Sequence, residues 1–122
     1  MSSDDALQEL KTALRRFAEV RQWQQFHSPK NLAMALSVEA AELLEHFQWL
    51  TEEESGALAQ DKRVKVEEEM ADVLLYLIRI ADRLDVDLFD AARKKMRINE
   101  RKYPAELVRG SSRKYTEYQK DK

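Results

Sequence analysis

Four acidic residues stand in two equally spaced pairs, Glu39 with Glu42 and Glu69 with Asp72. Residues three apart lie on one side of an α-helix, so each pair presents two carboxylates together. Two such helices packed side by side would gather four carboxylates around one point. That donor set suits a hard cation such as Mg²⁺, with Mn²⁺ as the alternative. The spacing alone leaves a second interpretation open, in which these are ordinary solvated carboxylates.

The residues around the pairs favour a cation. The segment 32–47 is apolar or small over most of its surface, and unpaired buried carboxylates would cost several kcal/mol each. Few basic residues are near in sequence, because 31–50 has no Lys or Arg and 70–80 has only Arg79. A di-iron carboxylate site would need Glu-x-x-His on two helices. Neither of the two histidines follows a glutamate at that spacing, so the iron site is excluded.

The composition narrows the classes of protein that fit. The formal net charge of -2 lacks the basic excess of a protein that binds nucleic acid polymers. Cysteine is absent, which excludes disulfides and thiolate chemistry. No apolar run approaches the roughly 20 residues of a membrane span, and the N-terminal residues lack the basic and apolar regions of a signal peptide. We therefore expect a cytoplasmic protein with neither a membrane nor a nucleic acid polymer as partner.

The elements that must position the acidic pairs are helices. Only two glycines and two prolines occur in 122 residues, and the apolar residues recur at helical spacing, which predicts an all-α fold. Ser28, Thr51 and Asp87 are predicted N-caps, and Thr51 with Glu54 predicts a capping box for a short extra helix. The four main helices are predicted from Ser3 or Asp4 to about Trp23, from Pro29 through Trp49, from a cap at Asp61 to about Leu84, and from Leu88 to about Arg101.

Four main helices with short connections predict a bundle, whose ligand site lies between facing helices. The acidic pairs fall on the middle two helices, at the margin of their apolar faces. We expect one domain over 1–109 and a polar, loosely ordered tail over 110–122. A chain this small with long apolar helices is also expected to form a homo-oligomer.

The strings that flank the acidic pairs resemble a known family. Glu-x-x-Glu followed by Glu-x-x-Asp is similar to the metal motif of the all-α nucleoside triphosphate pyrophosphohydrolases, the MazG-like superfamily. The similarity extends over about residues 10–118. Within the superfamily, the chain resembles the dCTP pyrophosphatase branch. It rests on the strings RQWQQFH at 21–27, PKNL at 29–32, FQW at 47–49, DVLLYL at 72–77, KMRIN at 95–99, RKYP at 101–104 and RKYT at 113–116.

The resemblance implies a four-helix bundle of the MazG-like type that hydrolyses dCTP, a modified dCTP or related dNTPs to the monophosphate and pyrophosphate, which would cleanse the nucleotide pool. It implies that Mg²⁺ is held by the four catalytic carboxylates Glu39, Glu42, Glu69 and Asp72. It implies a homotetramer, built as a dimer of dimers, and favours this assembly over a simple dimer. It also implies a base and sugar pocket, for which the candidate residues are Trp23, Phe26, His27, Asn31, Trp49 and Tyr76.

A phosphate-binding stripe is a further candidate. Lys95, Asn99 and Lys102 share one side of the last main helix, although a solvated basic face explains the two lysines equally well. Leu14 stands where we align a substrate-contacting histidine of vertebrate-type relatives, which puts an identical base preference in doubt. Two other functions stay open at this point: a catalytically silent helical bundle that binds a partner, and a pyrophosphatase of broad NTP range.

Overall fold

The computed structural model describes residues 3–112 and Thr116. It confirms the all-α prediction, since the described residues form helices joined by turns and contain no β-strand. None of these helices is both long and apolar enough to cross a lipid bilayer. The helices are α1 (Ser3–Val20), α2 (Pro29–Glu45), α3 (Glu52–Ser55), α4 (Gln60–Arg83), α5 (Leu88–Lys102) and α6 (Ala105–Val108), with a 3-10 turn at Gln24–Phe26 between α1 and α2.

Three helices begin where the predicted caps place them. Ser28 Oγ accepts a hydrogen bond from the Asn31 amide at 3.1 Å, and Pro29 occupies the first helical position of α2. Thr51 and Glu54 form the predicted reciprocal capping box at the start of α3. Asp87 Oδ1 accepts from the Asp90 amide at 3.0 Å at the start of α5. Each cap satisfies a backbone donor that the helix itself leaves free.

The helix ends differ from the predictions. α4 begins at Gln60 after Ala59, which makes no side-chain cap, so Asp61 lies within the first turn, where its charge favours the helix dipole. α1 ends at Val20, and Gln22 adopts a left-handed backbone with a φ of 55°. α2 ends at Glu45, and turns with shorter-range backbone bonds continue the chain through 46–49. The short helix α6, just after Pro104, was not predicted.

The chain divides into two compact units, Met1–Val86 and Asp87–Lys122. In the first unit α2 packs along α4, and α1 packs against α4. The buried apolar side chains of this unit are Ala18, Leu32, Val66, Ile78 and Ala81. This packing places the two acidic pairs, one on α2 and one on α4, side by side within a single unit.

The second unit contains α5 and α6. α5 ends at Lys102, where the Tyr103 amide donates to the Asn99 carbonyl, and Pro104 follows as predicted for a helix stop. The predicted tail begins at Gly110, whose φ is 76°. Most of the tail, including three of the four residues of RKYT, lies outside the described residues. The division into a domain of 1–109 and a tail of 110–122 stays a prediction.

Candidate active site

Three of the four predicted carboxylates converge between α2 and α4. Glu39, Glu69 and Asp72 each place a carboxylate oxygen within 4.8 Å of the others. Glu42 lies one turn after Glu39 and is close enough to perturb it, but it is not part of this compact group. The helical spacing thus brings each pair to one side of its helix, and the packing of α2 on α4 selects three oxygens for the closest approach.

The surroundings of the cluster disfavour ionised carboxylates. The Oε2 atoms of Glu39 and Glu69 are buried, and neither has a hydrogen-bond partner within the part of the chain that the structure describes. Burial raises the pKa of Glu39, and the neighbouring carboxyl groups of Glu69, Glu42 and Asp72 raise it further, to about 7. Every one of these causes disfavours the ionised form, so the cluster is electrostatically incomplete without a cation.

A divalent metal ion would fit this donor set. Six oxygens around Mg²⁺ at about 2.1 Å lie roughly 3 to 4 Å from one another, a separation that is compatible with three carboxylate oxygens within 4.8 Å of one another. An all-oxygen set without thiolate or imidazole suits hard cations. The unsatisfied buried oxygens of Glu39 and Glu69 are the atoms that such an ion would neutralise. The acidic cluster can therefore hold a divalent metal ion.

A cavity of about 470 Å³ opens beside the cluster in the first unit. Its wall is mainly apolar with a few polar groups, which is the usual composition of a small-molecule site. Glu39 and Asp72 form part of the wall, so the metal candidate and the cavity are continuous. The other lining residues are Leu10, Ala13, Leu14, Phe17, Trp23, His27, Leu32, Leu75, Tyr76 and Arg79.

Three of the residues proposed for the base and sugar line this cavity. Trp23 makes edge contacts with the rings of Phe17 and His27, at centroid distances of 5.7 and 6.2 Å. His27 Nδ1 accepts a hydrogen bond from Arg79 Nε at 3.3 Å, and burial, followed by the nearby arginine charges, lowers the pKa of His27. Tyr76 lies one helical turn after Asp72. Trp23, His27 and Tyr76 therefore share one cavity with two carboxylates of the cluster.

The remaining candidates lie elsewhere. Asn31 Nδ2 donates to the Phe26 carbonyl at 3.1 Å, which ties the 3-10 turn to the start of α2. Phe26 and Trp49 are 60% and 87% exposed, and neither they nor Asn31 line the cavity. The phosphate-stripe candidates belong to the second unit, on α5, where Lys95 and Asn99 are exposed and Lys102 is half-buried. Roles for these six residues in substrate binding stay predictions.

Arg79 is the basic residue of the cavity wall, and sequence reasoning did not propose it as a site residue. It is only 4% exposed, although its charge would ordinarily keep it at the surface. The available signal was its place as the lone basic residue in an apolar stretch of α4, seven positions after Asp72 and therefore on the same face. Asp82 lies three positions later on the same helix, but the contact with His27 could not be deduced from spacing because His27 lies 52 residues away.

Comparisons with known proteins identify the family of this chain. The profile of the MazG-like family matches residues 34–118, which include both acidic pairs. The chain is 47% identical to dCTP pyrophosphatase 1 of Homo sapiens over 118 residues, covering 95% of this chain and 69% of the human protein. It is 44% identical to dCTP pyrophosphatase 1 of Bos taurus, covering 95% of this chain and 70% of the bovine protein.

A solved structure extends the similarity to three dimensions. The crystal structure of a pyrophosphatase from Archaeoglobus fulgidus superposes with a TM-score of 0.77 at 44% sequence identity, covering 81% of this chain and 93% of that one. Helical architecture, acidic pairs and sequence similarity thus lead to one assignment. This chain belongs to the MazG-like family.

Proposed function

We propose that this chain is a Mg²⁺-dependent nucleoside triphosphate pyrophosphohydrolase that cleaves dCTP, or a modified dCTP or related dNTP, to the monophosphate and pyrophosphate. The observation that carries the proposal is the continuity of two features. One is an acidic cluster in which buried oxygens of Glu39 and Glu69 have no hydrogen-bond partner among the described residues, and the other is an apolar cavity of about 470 Å³ lined by Trp23, His27 and Tyr76. A nucleotide has matching parts, an anionic triphosphate and a flat base. The relatives named dCTP pyrophosphatase 1 support the choice of base.

The four carboxylates Glu39, Glu42, Glu69 and Asp72 would hold the metal. When bound, Mg²⁺ supplies charge neutralisation of the triphosphate and activation of a water molecule. A water oxygen would attack the α or the β phosphorus, the bond from that phosphorus to the bridging oxygen would break, and the monophosphate and pyrophosphate would separate. A glutamate of the cluster is suited to accept the proton that the water loses. Mn²⁺ has similar ligand preferences and is expected to substitute for Mg²⁺.

The cavity wall would bind the rest of the nucleotide. Trp23 offers a flat face for stacking, which is worth about 1–3 kcal/mol per base in nucleic acid contacts. Tyr76, one turn from Asp72, is suited to meet the sugar, and apolar packing there would disfavour a ribose 2'-hydroxyl. Lys95, Asn99 and Lys102 would supply donors to the phosphates, and Phe26, Asn31 and Trp49 further contacts to the base side.

Assembly into a homotetramer, as a dimer of dimers, is part of the proposal. Several apolar side chains are exposed in the single chain and recur along one face of a helix, as large apolar patches at interfaces do. On α2 they are Met34 and Val38, and on α4 they are Met70, Leu74 and Leu77. We also propose a cytoplasmic location, where the nucleotide pool lies.

The proposal is tested by incubating the protein with Mg²⁺ and a panel of NTPs and dNTPs and by measuring pyrophosphate and orthophosphate release. We expect pyrophosphate as product, the highest kcat/KM for dCTP, and loss of turnover in EDTA. Glu42→Ala and Asp72→Ala should lose turnover and keep the helical circular dichroism spectrum. Retained activity in either variant, or orthophosphate as product, would contradict the proposal.

Two alternative functions give different outcomes in the same experiments. Equal rates across the panel would indicate a broad-range pyrophosphatase. A catalytically silent interaction bundle would show no metal-dependent nucleotide binding, which calorimetry with Mg²⁺ and a non-hydrolysable dCTP analogue detects directly.

A further inference from the structure

Arg79 lines the cavity, and its guanidinium carries a buried donor that no described residue binds. Its Nε donates to His27 Nδ1 at 3.3 Å and its Nη1 donates to Asp82 Oδ2 at 3.2 Å. Its Nη2 is buried and has no hydrogen-bond partner among residues 3–112 and 116. The side chain is 5% exposed and lines the cavity. A guanidinium has only donors, so this nitrogen needs an acceptor that the described residues do not supply, and the cavity lined by the same side chain can receive one.

Asp82 does not depend on Arg79 alone for a countercharge. Arg15 already binds Asp82 with two hydrogen bonds, Nε to Oδ2 at 3.1 Å and Nη2 to Oδ1 at 2.6 Å. The Arg79 side chain is only 5% exposed, so the protein holds this cation in a poorly solvated place, and burial lowers its pKa against the opposing effect of Asp82. A buried donor left without a partner destabilises a protein. A cation kept under those conditions beside a cavity is typical of a ligand contact.

His27 adds a second donor to the same end of the cavity. Because its Nδ1 accepts from Arg79, the proton of the neutral ring sits on Nε2. Burial and the charges of Arg79 and Arg83 lower the pKa of His27, which keeps the ring neutral near pH 7. This end of the cavity therefore offers hydrogen-bond donors, whereas the cluster at Glu39 and Asp72 offers acceptors.

The helix sets the distance between these two ends. Seven residues separate Asp72 from Arg79, which corresponds to about 10 Å along the helix axis and nearly the same face. In a nucleotide the sugar separates the phosphates from the base. A ligand whose phosphates lie at the carboxylate cluster therefore brings its base, and not its phosphates, toward Arg79.

We propose that Arg79 is a specificity-determining residue whose free Nη2 donates a hydrogen bond to an acceptor on the nucleobase, either a carbonyl oxygen or a ring nitrogen. The inference rests on the proposed pyrophosphohydrolase function and deepens it. Cytosine carries both kinds of acceptor, on O2 and N3. A base surrogate that stacks but has no acceptor would leave the guanidinium unsatisfied and would be disfavoured.

The test compares dCTP with a deoxyribose triphosphate that carries a phenyl ring in place of the base. The kcat/KM of both is measured for wild type, Arg79→Met and Arg63→Met. Arg63 is the matched control, since it is on the same helix with its side chain 64% exposed and does not line the cavity. We expect Arg79→Met to lower kcat/KM for dCTP about 10- to 100-fold, the range for a hydrogen bond to a charged group. The phenyl analogue should change by less than about threefold, and Arg63→Met should leave both values unchanged.

An equal loss for dCTP and the phenyl analogue would overturn the proposal, because it would mean that Arg79 acts on the phosphates or on the fold. If Arg79→Met leaves kcat/KM unchanged for both dCTP and the phenyl analogue, the proposal is overturned as well. If Arg79→Met does not fold, Arg79→Lys keeps the charge beside Asp82 but lacks the planar fork, and is expected to lose the preference for dCTP. Full retention of that preference in Arg79→Lys overturns the role of Nη2. Wild type that releases no pyrophosphate from any nucleotide would instead refute the proposed function.

Discussion

Binding of Mg²⁺ to the metal-free protein should release a proton, in an amount set by pH. The pKa of Glu39 is about 7 without a cation, because the carboxylate is desolvated and is close to Glu69, Glu42 and Asp72. A metal ion binds the ionised form, so binding must displace any proton that the cluster holds. The expected release is about 0.9 proton at pH 6, about 0.5 at pH 7 and about 0.1 at pH 8. This proton belongs to the carboxylate cluster as a unit.

The apparent affinity for Mg²⁺ follows from the same linkage. Below pH 7 the dissociation constant should rise about tenfold per pH unit, or about 1.4 kcal/mol, and above pH 8 it should level off. Isothermal titration calorimetry measures both quantities when each pH is run in two buffers of different ionisation enthalpy. The slope of the observed enthalpy against the buffer enthalpy gives the number of protons released.

Two variants identify the source of the proton. Glu39→Gln should abolish most of the release and weaken Mg²⁺ binding, since it removes both the raised carboxyl group and a ligand. Glu45→Gln removes an equal charge from an exposed site at the end of α2 and should leave the release unchanged. Tight Mg²⁺ binding at pH 6 with no buffer dependence would refute the argument, since the carboxylates would then be ionised before the metal arrives.

The stability of the metal-free protein should fall as pH rises, whereas its affinity for Mg²⁺ should increase. The pKa of Glu39 is raised in the folded state, so its contribution is fully present below the unfolded value of 4.5 and is lost as pH rises through about 7. Bound Mg²⁺ favours the ionised cluster and reverses this trend. Thermal unfolding in EDTA and in Mg²⁺ across pH 5 to 8 should therefore diverge with increasing pH, and parallel curves would contradict the linkage.

Three further substitutions have defined outcomes. Asp82→Asn should lower the free energy of unfolding by about 2–4 kcal/mol in urea denaturation, because it leaves Arg79 buried without a countercharge. Trp23→Ala should lower kcat/KM for dCTP about 5- to 150-fold through lost stacking, with the circular dichroism spectrum retained; unchanged kinetics would remove Trp23 from the pocket. Leu74→Glu should dissociate the proposed tetramer in light scattering, whereas Gln60→Glu on the same helix should not; an intact tetramer would place the interface elsewhere.

The helix starts could be predicted because cap chemistry is local. Ser28, Thr51 and Asp87 each accept from an amide three residues later, so the relevant atoms lie within one turn of sequence. Asp61 was predicted wrongly as a cap, because an exposed helix start needs no side-chain acceptor when water can satisfy its amides. The end of α2 at Glu45 has no proline or glycine to mark it, so the sequence offered no signal for it.

The sequence could likewise predict the parts of the candidate site that depend on local spacing, but not the parts that depend on contacts between distant residues. Spacing of three along a helix placed Glu39 with Glu42 and Glu69 with Asp72, but only the packing of α2 on α4 determines which oxygens meet. The contact of Arg79 with His27 spans 52 residues and follows from no periodic pattern. Arg79 is the one basic residue in 70–80, and the structure gives it partners other than the acidic cluster.

Asp72 and Arg79 lie on the same helix, α4, and this limits the ligands that the cavity can bind. Asp72 and Arg79 are fixed by one helix at about 10 Å along its axis, so closure of the cavity cannot change that separation without breaking helical hydrogen bonds. A short anion such as inorganic phosphate could meet the metal end alone and would leave the Arg79 donor unsatisfied. A nucleotide can meet both ends at once, because its sugar spans the interval. Discrimination between a nucleotide and inorganic phosphate therefore follows from helix geometry. It should persist when residues in the surrounding loops are changed.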